Sequence, residues 1–183
     1  MISNAMVPAG AFEAYVINVT ATIENRACPF NLADFDFDGN MNAILAGQKI
    51  QFDYASWGLA EITAANNNPE HPNLPIAFDS DNPTGGDFDL GTPNENFGGP
   101  GIGEGGRLGR SGENRFGQHH LLIIAENDVD NNGDNLIDEP EDEAAGGKLS
   151  FRFAAETYVE NLRLIDIDES GVLVKIFENS NIN

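Results

Sequence analysis

No stretch of this chain keeps a helical spacing of apolar residues for long; its apolar segments are short, and turn-forming residues separate them. Short alternating or β-branched runs bounded by Gly, Pro, Asn and Asp read as strands. The runs are AYVINVTATIE (14–24), LADFDFDGN entering an Asp-Gly turn, QKIQF, GLAEITAA after a turn at 55–58, HHLLIIAEN, KLSFRFAA, YVENLRLIDID and VLVKIFEN. NNNPEHPNLP reads as a loop. The stretch from Ile76 to Gln118 is long, glycine-rich and nearly free of periodicity, the kind of loop that tends to carry function. The pattern predicts an all-β chain, a β-sandwich or jelly roll with long loops, forming one domain over 1–183 without internal repeats. Residues 1–24 form its N-terminal strand, a candidate for pairing between subunits.

The net charge of −21 comes from 30 acidic and 9 basic side chains. Such a chain repels nucleic acid and anionic membranes, and repels itself when folded. Divalent cations relieve that repulsion, and hard oxygen ligands suit calcium; the plain alternative is an acidic surface kept for solubility. Cys28 is the one cysteine, so no internal disulfide forms, and it is expected to be a small buried hydrophobe. No apolar run reaches the roughly 18 residues of a membrane span, so no membrane insertion is expected. The opening MISNAMVPAGAF lacks the basic start and apolar region of an export signal, and is expected to belong to a mature form.

The strongest chemical signal is DVDNNGDNLIDE (128–139). Asp128, Asp130 and Asn132 stand at the first, third and fifth positions of an EF-hand-type loop. Gly133 takes the sharp turn, Asp134 offers its carbonyl and Glu139 closes the site. Two features depart from an EF-hand: the flanks read as strands, and the eighth residue is Asn135 where an apolar residue is expected. The loop is thus expected to staple a hairpin, since a sensor needs helices that open. Glu141, Asp142 and Glu143 follow, either finishing the site or lying in a wet turn.

Three further carboxylate groups are candidates. Asp79, Asp81, Asp87 and Asp89 form two i, i+2 pairs around Gly85 and Gly86, which could turn both pairs toward one cation. Asp34, Asp36 and Asp38 alternate along DFDFDGN, but Leu45 stands where the closing Glu belongs, and an acidic strand face explains them almost as well. Asp166 and Asp168 beside Glu169 read as a solvated face.

Enzyme signals are weak, and the chain is not expected to be an enzyme. His119 and His120 point to opposite sides of a strand, and His71 lies in a Pro/Asn loop. No nucleophile elbow or phosphate loop appears. Arg107, Arg110 and Arg115 cluster in one loop and are candidates for a ligand carboxylate. Tyr54 and Trp57 are candidates for stacking on a sugar, with core packing as the alternative.

FDSDNPTGGDFDLGTPNENFGGPGIGEGG, then LLIIAENDVDNNGDNLIDEPEDEAAGGKLSFRF, then LIDIDESGVLVKI resemble a family of secreted bacterial calcium-binding surface modules of adhesin type. The resemblance spans roughly Leu32 to Phe177, with Asn-Pro-Thr-Gly-Gly-Asp its most specific motif. It implies an extracellular β-sandwich with bound calcium, located at the cell surface. The expected partner is a carbohydrate or peptide ligand, or copies of the chain itself joined by strand addition into a filament.

Overall fold

The computed structural model describes residues 31–167 and 172–177. Among them there is no α-helix. The regular elements are strands β1 (Leu59–Asn66), β2 (Pro75–Asp79), β3 (His120–Ile124) and β4 (Gly147–Phe153), with single 3-10 turns at Ala55–Trp57, Phe88–Leu90 and Glu95–Phe97. The chain is all-β in this sense, and much of it is turn and loop. The strands form two antiparallel ribbons, β1–β4 and β2–β3.

The β2–β3 ribbon is the centre of the molecule, because both its faces are covered. Its register pairs Ile76 with Ile123, Ala77 with Leu122 and Phe78 with Leu121. Side chains alternate across a strand, so one face carries Ala77 and Leu122 into a core with Ile44, Ile50, Tyr54, Leu59 and Ile62. The opposite face carries Ile76, Phe78 and Ile123 into a second core with Leu90, Ala125 and Ile137. Full burial of a side chain such as Phe78 contributes about 2–3 kcal/mol.

β2 itself has no counterpart in the sequence reading, which placed Ile76 onward in the long loop. Four of its five residues are buried, so it shows no apolar/polar alternation. Pro75 is its first residue, one of the few strand positions that tolerate a missing N–H.

β1, β3 and β4 fall where alternation predicted strands. The segments expected as strands at 158–168 and 172–179 carry none over their described residues 158–167 and 172–177, where Leu173, Ile176 and Phe177 are exposed. LADFDFDGN gives only a single bridge, Phe37 to Ala43, around a tight turn. QKIQF gives a bridge from Lys49 to Ile76. The expected N-terminal strand, 14–24, and Cys28 lie outside the described residues.

One close approach fixes the 128–139 loop on this frame. The Gly47 N–H donates to Ala77 O at 2.8 Å, and the Ile137 N–H donates to Gly47 O at 3.0 Å. Gly47 has φ +78, and a Cβ there would lie 2.2 Å from Ile137 O. Only glycine combines that backbone conformation with that contact.

Candidate metal centre

The loop after β3 folds around Asp130. Its Oδ1 accepts the Gly133 N–H at 2.7 Å and the Asp134 N–H at 3.2 Å, and its Oδ2 accepts the Asn135 N–H at 2.9 Å. Asn132 Oδ1 accepts the Asp134 N–H, and Asp134 Oδ1 accepts the Leu136 N–H, each at 2.9 Å. A short polar side chain that turns its own backbone in this way presents successive oxygens along the inside of a loop.

Gly133, at φ +77, fits the sixth position of the count from Asp128, and the same hydrogen bonds admit a second count that starts two residues on. Counted from Asp130, the third and fifth positions are Asn132 and Asp134. The sixth is Asn135, at φ +69, where an EF-hand uses glycine to make its sharp turn. The eighth is Ile137, 3% exposed and packed in the second core. The ninth is Asp138, whose Oδ2 accepts the Asn131 N–H at 2.8 Å, and the twelfth is Glu141. The apolar residue missing at Asn135 in the first count is therefore present, two residues on. In this second count Asp128 precedes the loop and Glu139 is not the closing residue; the Glu139 carbonyl accepts from Asn127 Nδ2 at 3.4 Å.

Glu141 turns toward a second acidic group. Its Cβ and Cγ lie against Gly85, whose φ is +68 and which leaves no room for a side chain. Burial raises its pKa first, and the charges of Glu126, Asp87 and Glu139 raise it further. Beside it, Asp87 Oδ2 accepts the Asp142 N–H at 2.7 Å, and the two carboxyls hydrogen-bond to each other. Burial and the Asp87 charge push the Asp142 carboxyl up to about 7, with Asp89 and Asp166 contributing. Asp87 is raised as well, by burial before any neighbouring charge. The described arginine ion pairs, Arg107–Glu104, Arg115–Glu113 and Arg152–Glu61, all lie elsewhere.

The remaining aspartates have other partners. Asp79 and Asp81 have hydrogen-bond partners different from those of Asp87. Asp79 Oδ1 accepts the Asp81 N–H at 3.0 Å, and Asp81 Oδ2 pairs with His119 Nδ1 at 2.6 Å. That carboxylate, helped by Asp36 and Asp79, holds the His119 pKa above its ordinary value. Asp36 Oδ1 lies 3.0 Å from His120 Nδ1 and also accepts the His120 N–H. His119 and His120 thus make adjacent contacts with Asp81 and Asp36 at the start of β3. Asp34 Oδ1 accepts the Asp36 N–H at 3.1 Å. Asp38 caps its own turn through Asn40 and Asn42.

A third constellation went unnoticed in the sequence. His71, Glu126 and Glu143 each place one ligand-type atom within 4.8 Å of the others. His71 Nδ1 lies 2.6 Å from Glu143 Oε2. Glu143 is only 5% exposed. Burial pushes its carboxyl up, but the Ala145 N–H, His71 and Asn66 together bring it below the ordinary range. The three residues come from the loop after β1, the end of β3 and the approach to β4, so no sequence spacing joins them.

Of the candidate ligand contacts, Tyr54 is corrected by burial. It is 1% exposed, its hydroxyl accepts the Phe35 N–H, and its ring packs between Phe35 and Trp57, so it offers no face to a sugar. Trp57 is half-buried against the first core. Arg107 pairs with Glu104 at 3.4 Å, the Arg110 N–H closes a turn on Arg107 O, and Arg115 pairs with Glu113 over the Phe97 ring. Compared with known proteins, the chain matches no family model, no curated protein and no solved structure.

Proposed function

We propose that this chain is an extracellular calcium-binding β module that acts in adhesion or ligand recognition at a cell surface, without enzymatic chemistry. In this reading the two ribbons are the two layers of a small sandwich sharing the core around Ala77. One observation supports the calcium reading: Asp130 gathers three successive backbone N–H groups ahead of a buried Ile137, and in this reading Asn132, Asp134, Asp138 and Glu141 would complete its ligand series. Those donors are all oxygen, and most are charged, which is what calcium selects. Bound calcium would draw Glu141 back from the Asp87–Asp142 pair and lower the repulsion there. The metal acts as a staple that orders the loops at 79–97 and 128–143, leaving a coordination position for a sugar hydroxyl or carboxylate.

A second reading is a structural subunit that assembles by strand addition. Among the described residues β4 pairs on one side only, with β1, and it carries Phe151 partly exposed. An edge with free backbone groups accepts a strand from another chain.

Thermal unfolding and particle size, measured together in calcium and in chelator, test both. The first reading expects a calcium-dependent rise in melting temperature that Asp130→Ala abolishes, with the particle remaining monomeric. Growth of large particles in calcium would replace it with the assembly reading. A melting temperature indifferent to calcium would sink the loop assignment.

A further inference from the structure

We propose that His71, Glu126 and Glu143 form a separate site for a first-row transition cation of the zinc class, bound through imidazole Nδ1 and one oxygen of each carboxylate. This inference is independent of the calcium reading, which uses other residues.

The donor set points to a different metal from the loop. Imidazole with carboxylates suits zinc and its neighbours, whereas calcium takes oxygen ligands. The spacing fits with small adjustment. Donors about 2.0 Å from a tetrahedral zinc stand roughly 3.3 Å apart. All three residues already place a ligand atom within 4.8 Å of the others, and the His71–Glu143 contact, at 2.6 Å, has to open. Three protein ligands leave the fourth position of such a site to water or to a ligand.

An ion pair alone explains His71 and Glu143 but not the third member. One imidazolium facing both Glu126 and a nearly buried Glu143 leaves an excess negative charge, and Glu141 adds to it from the side of Glu126. A divalent cation balances both ligand carboxylates.

The frame around the three residues is already tied together. Asn66 Nδ2 donates to Pro72 O at 3.4 Å and to Ala125 O at 3.2 Å, joining the neighbours of His71 and Glu126. Asn67 Nδ2 donates to Ala145 O at 2.9 Å, two residues past Glu143. The Glu143 N–H donates to Ile124 O, and Glu143 Oε1 accepts the Ala145 N–H, each at 2.9 Å. Such outer contacts hold ligands in place before a metal arrives.

The test titrates cobalt(II) into the full chain carrying Cys28→Ser, so that the one thiol cannot take the ion, with calcium in large excess to fill the oxygen sites. The expected result is one equivalent bound with the visible absorption of a low-coordinate cobalt centre, displaced by zinc. His71→Ala and the isosteric Glu126→Gln should each weaken it by at least about tenfold, while His119→Ala leaves it unchanged. Melting curves without cobalt check that each variant folds; if His71→Ala does not, Glu126→Gln carries the test alone. Absence of a saturable equivalent overturns the proposal and leaves His71 as an ion-pair partner only. So does a titration that responds to His119→Ala in place of His71→Ala. Calcium is constant throughout, so failure here does not touch the reading of the 130–141 loop.

Discussion

Asp38 opens a turn and Asp142 bridges to Ala125; the Asp38 carboxyl sits below its ordinary range and the Asp142 carboxyl is pushed up to about 7. Asp38 is satisfied locally: Asn42 donates through side chain and backbone, and the Asn40 N–H adds a third bond. Asp142 is partly buried against Asp87, with Asp89 and Asp166 nearby. The first carboxylate needs no cation. The second has like charges where a counterion belongs. Counting acidic residues therefore does not locate metal sites in so acidic a chain; the local donors around each carboxylate do.

The largest expected effect follows from supplying the counterion. At a calcium concentration a hundred times its dissociation constant, one site stabilises the fold by about 2.7 kcal/mol. Calorimetry in calcium and in chelator should show this difference, and Asp130→Ala should erase it. Asp38→Ala should leave it intact.

Next in size is Gly47→Ala. It strains a left-handed backbone and drives a Cβ into Ile137 O, which holds the loop to the core. A loss of about 1–3 kcal/mol is expected by denaturant unfolding, together with weaker calcium binding by titration calorimetry. Unchanged calcium affinity would show that the loop forms without its anchor on Gly47.

Asp142→Asn sharpens the contrast through pH. With calcium removed, the folded Asp87–Asp142 pair holds its proton more tightly than the unfolded chain does, where carboxyls titrate near 4. The penalty is absent below that value and grows as pH rises toward about 7. The melting temperature in chelator should therefore rise as pH falls from roughly 7.5 to 5, and Asp142→Asn should flatten that rise. His71 and His119, both raised by carboxylate partners, shift stability the same way, so the difference between variant and parent isolates the pair. An identical pH profile in the variant would remove Asp142 from the account.

The smallest effect is expected for Asp38→Ala. Loss of the turn cap should lower the melting temperature slightly, and equally in calcium and in chelator. A calcium-dependent difference would return Asp38 to the metal ligands.

Legibility of the sequence followed the locality of each signal. GLAEITAA, HLLII and KLSFRF alternate or run apolar between turn residues, and they are β1, β3 and β4. β2 did not announce itself, because a strand buried on both faces has no alternation to read. The loop was visible as a loop, but Asp128 and Asp130 both begin acceptable ligand series, and nothing local chooses between them. Ile137 is buried against the second core and bonded to Gly47, a placement that favours the count from Asp130 in the proposed calcium reading. Tyr54 looked like a surface aromatic beside Trp57, and only its placement between Phe35 and the first core buried it.

The sequence alone determined that this chain would form short strands, carry a strong negative charge and turn an oxygen-rich loop after the apolar strand HLLII, because propensity, charge and turn chemistry act over a few neighbouring residues. Tertiary structure alone decided that Ile137 is buried against the second core, which carboxylates are pressed together and that His71 meets Glu126 and Glu143. Those outcomes depend on burial and on contacts between segments 17 to 90 residues apart, and no local pattern encodes them.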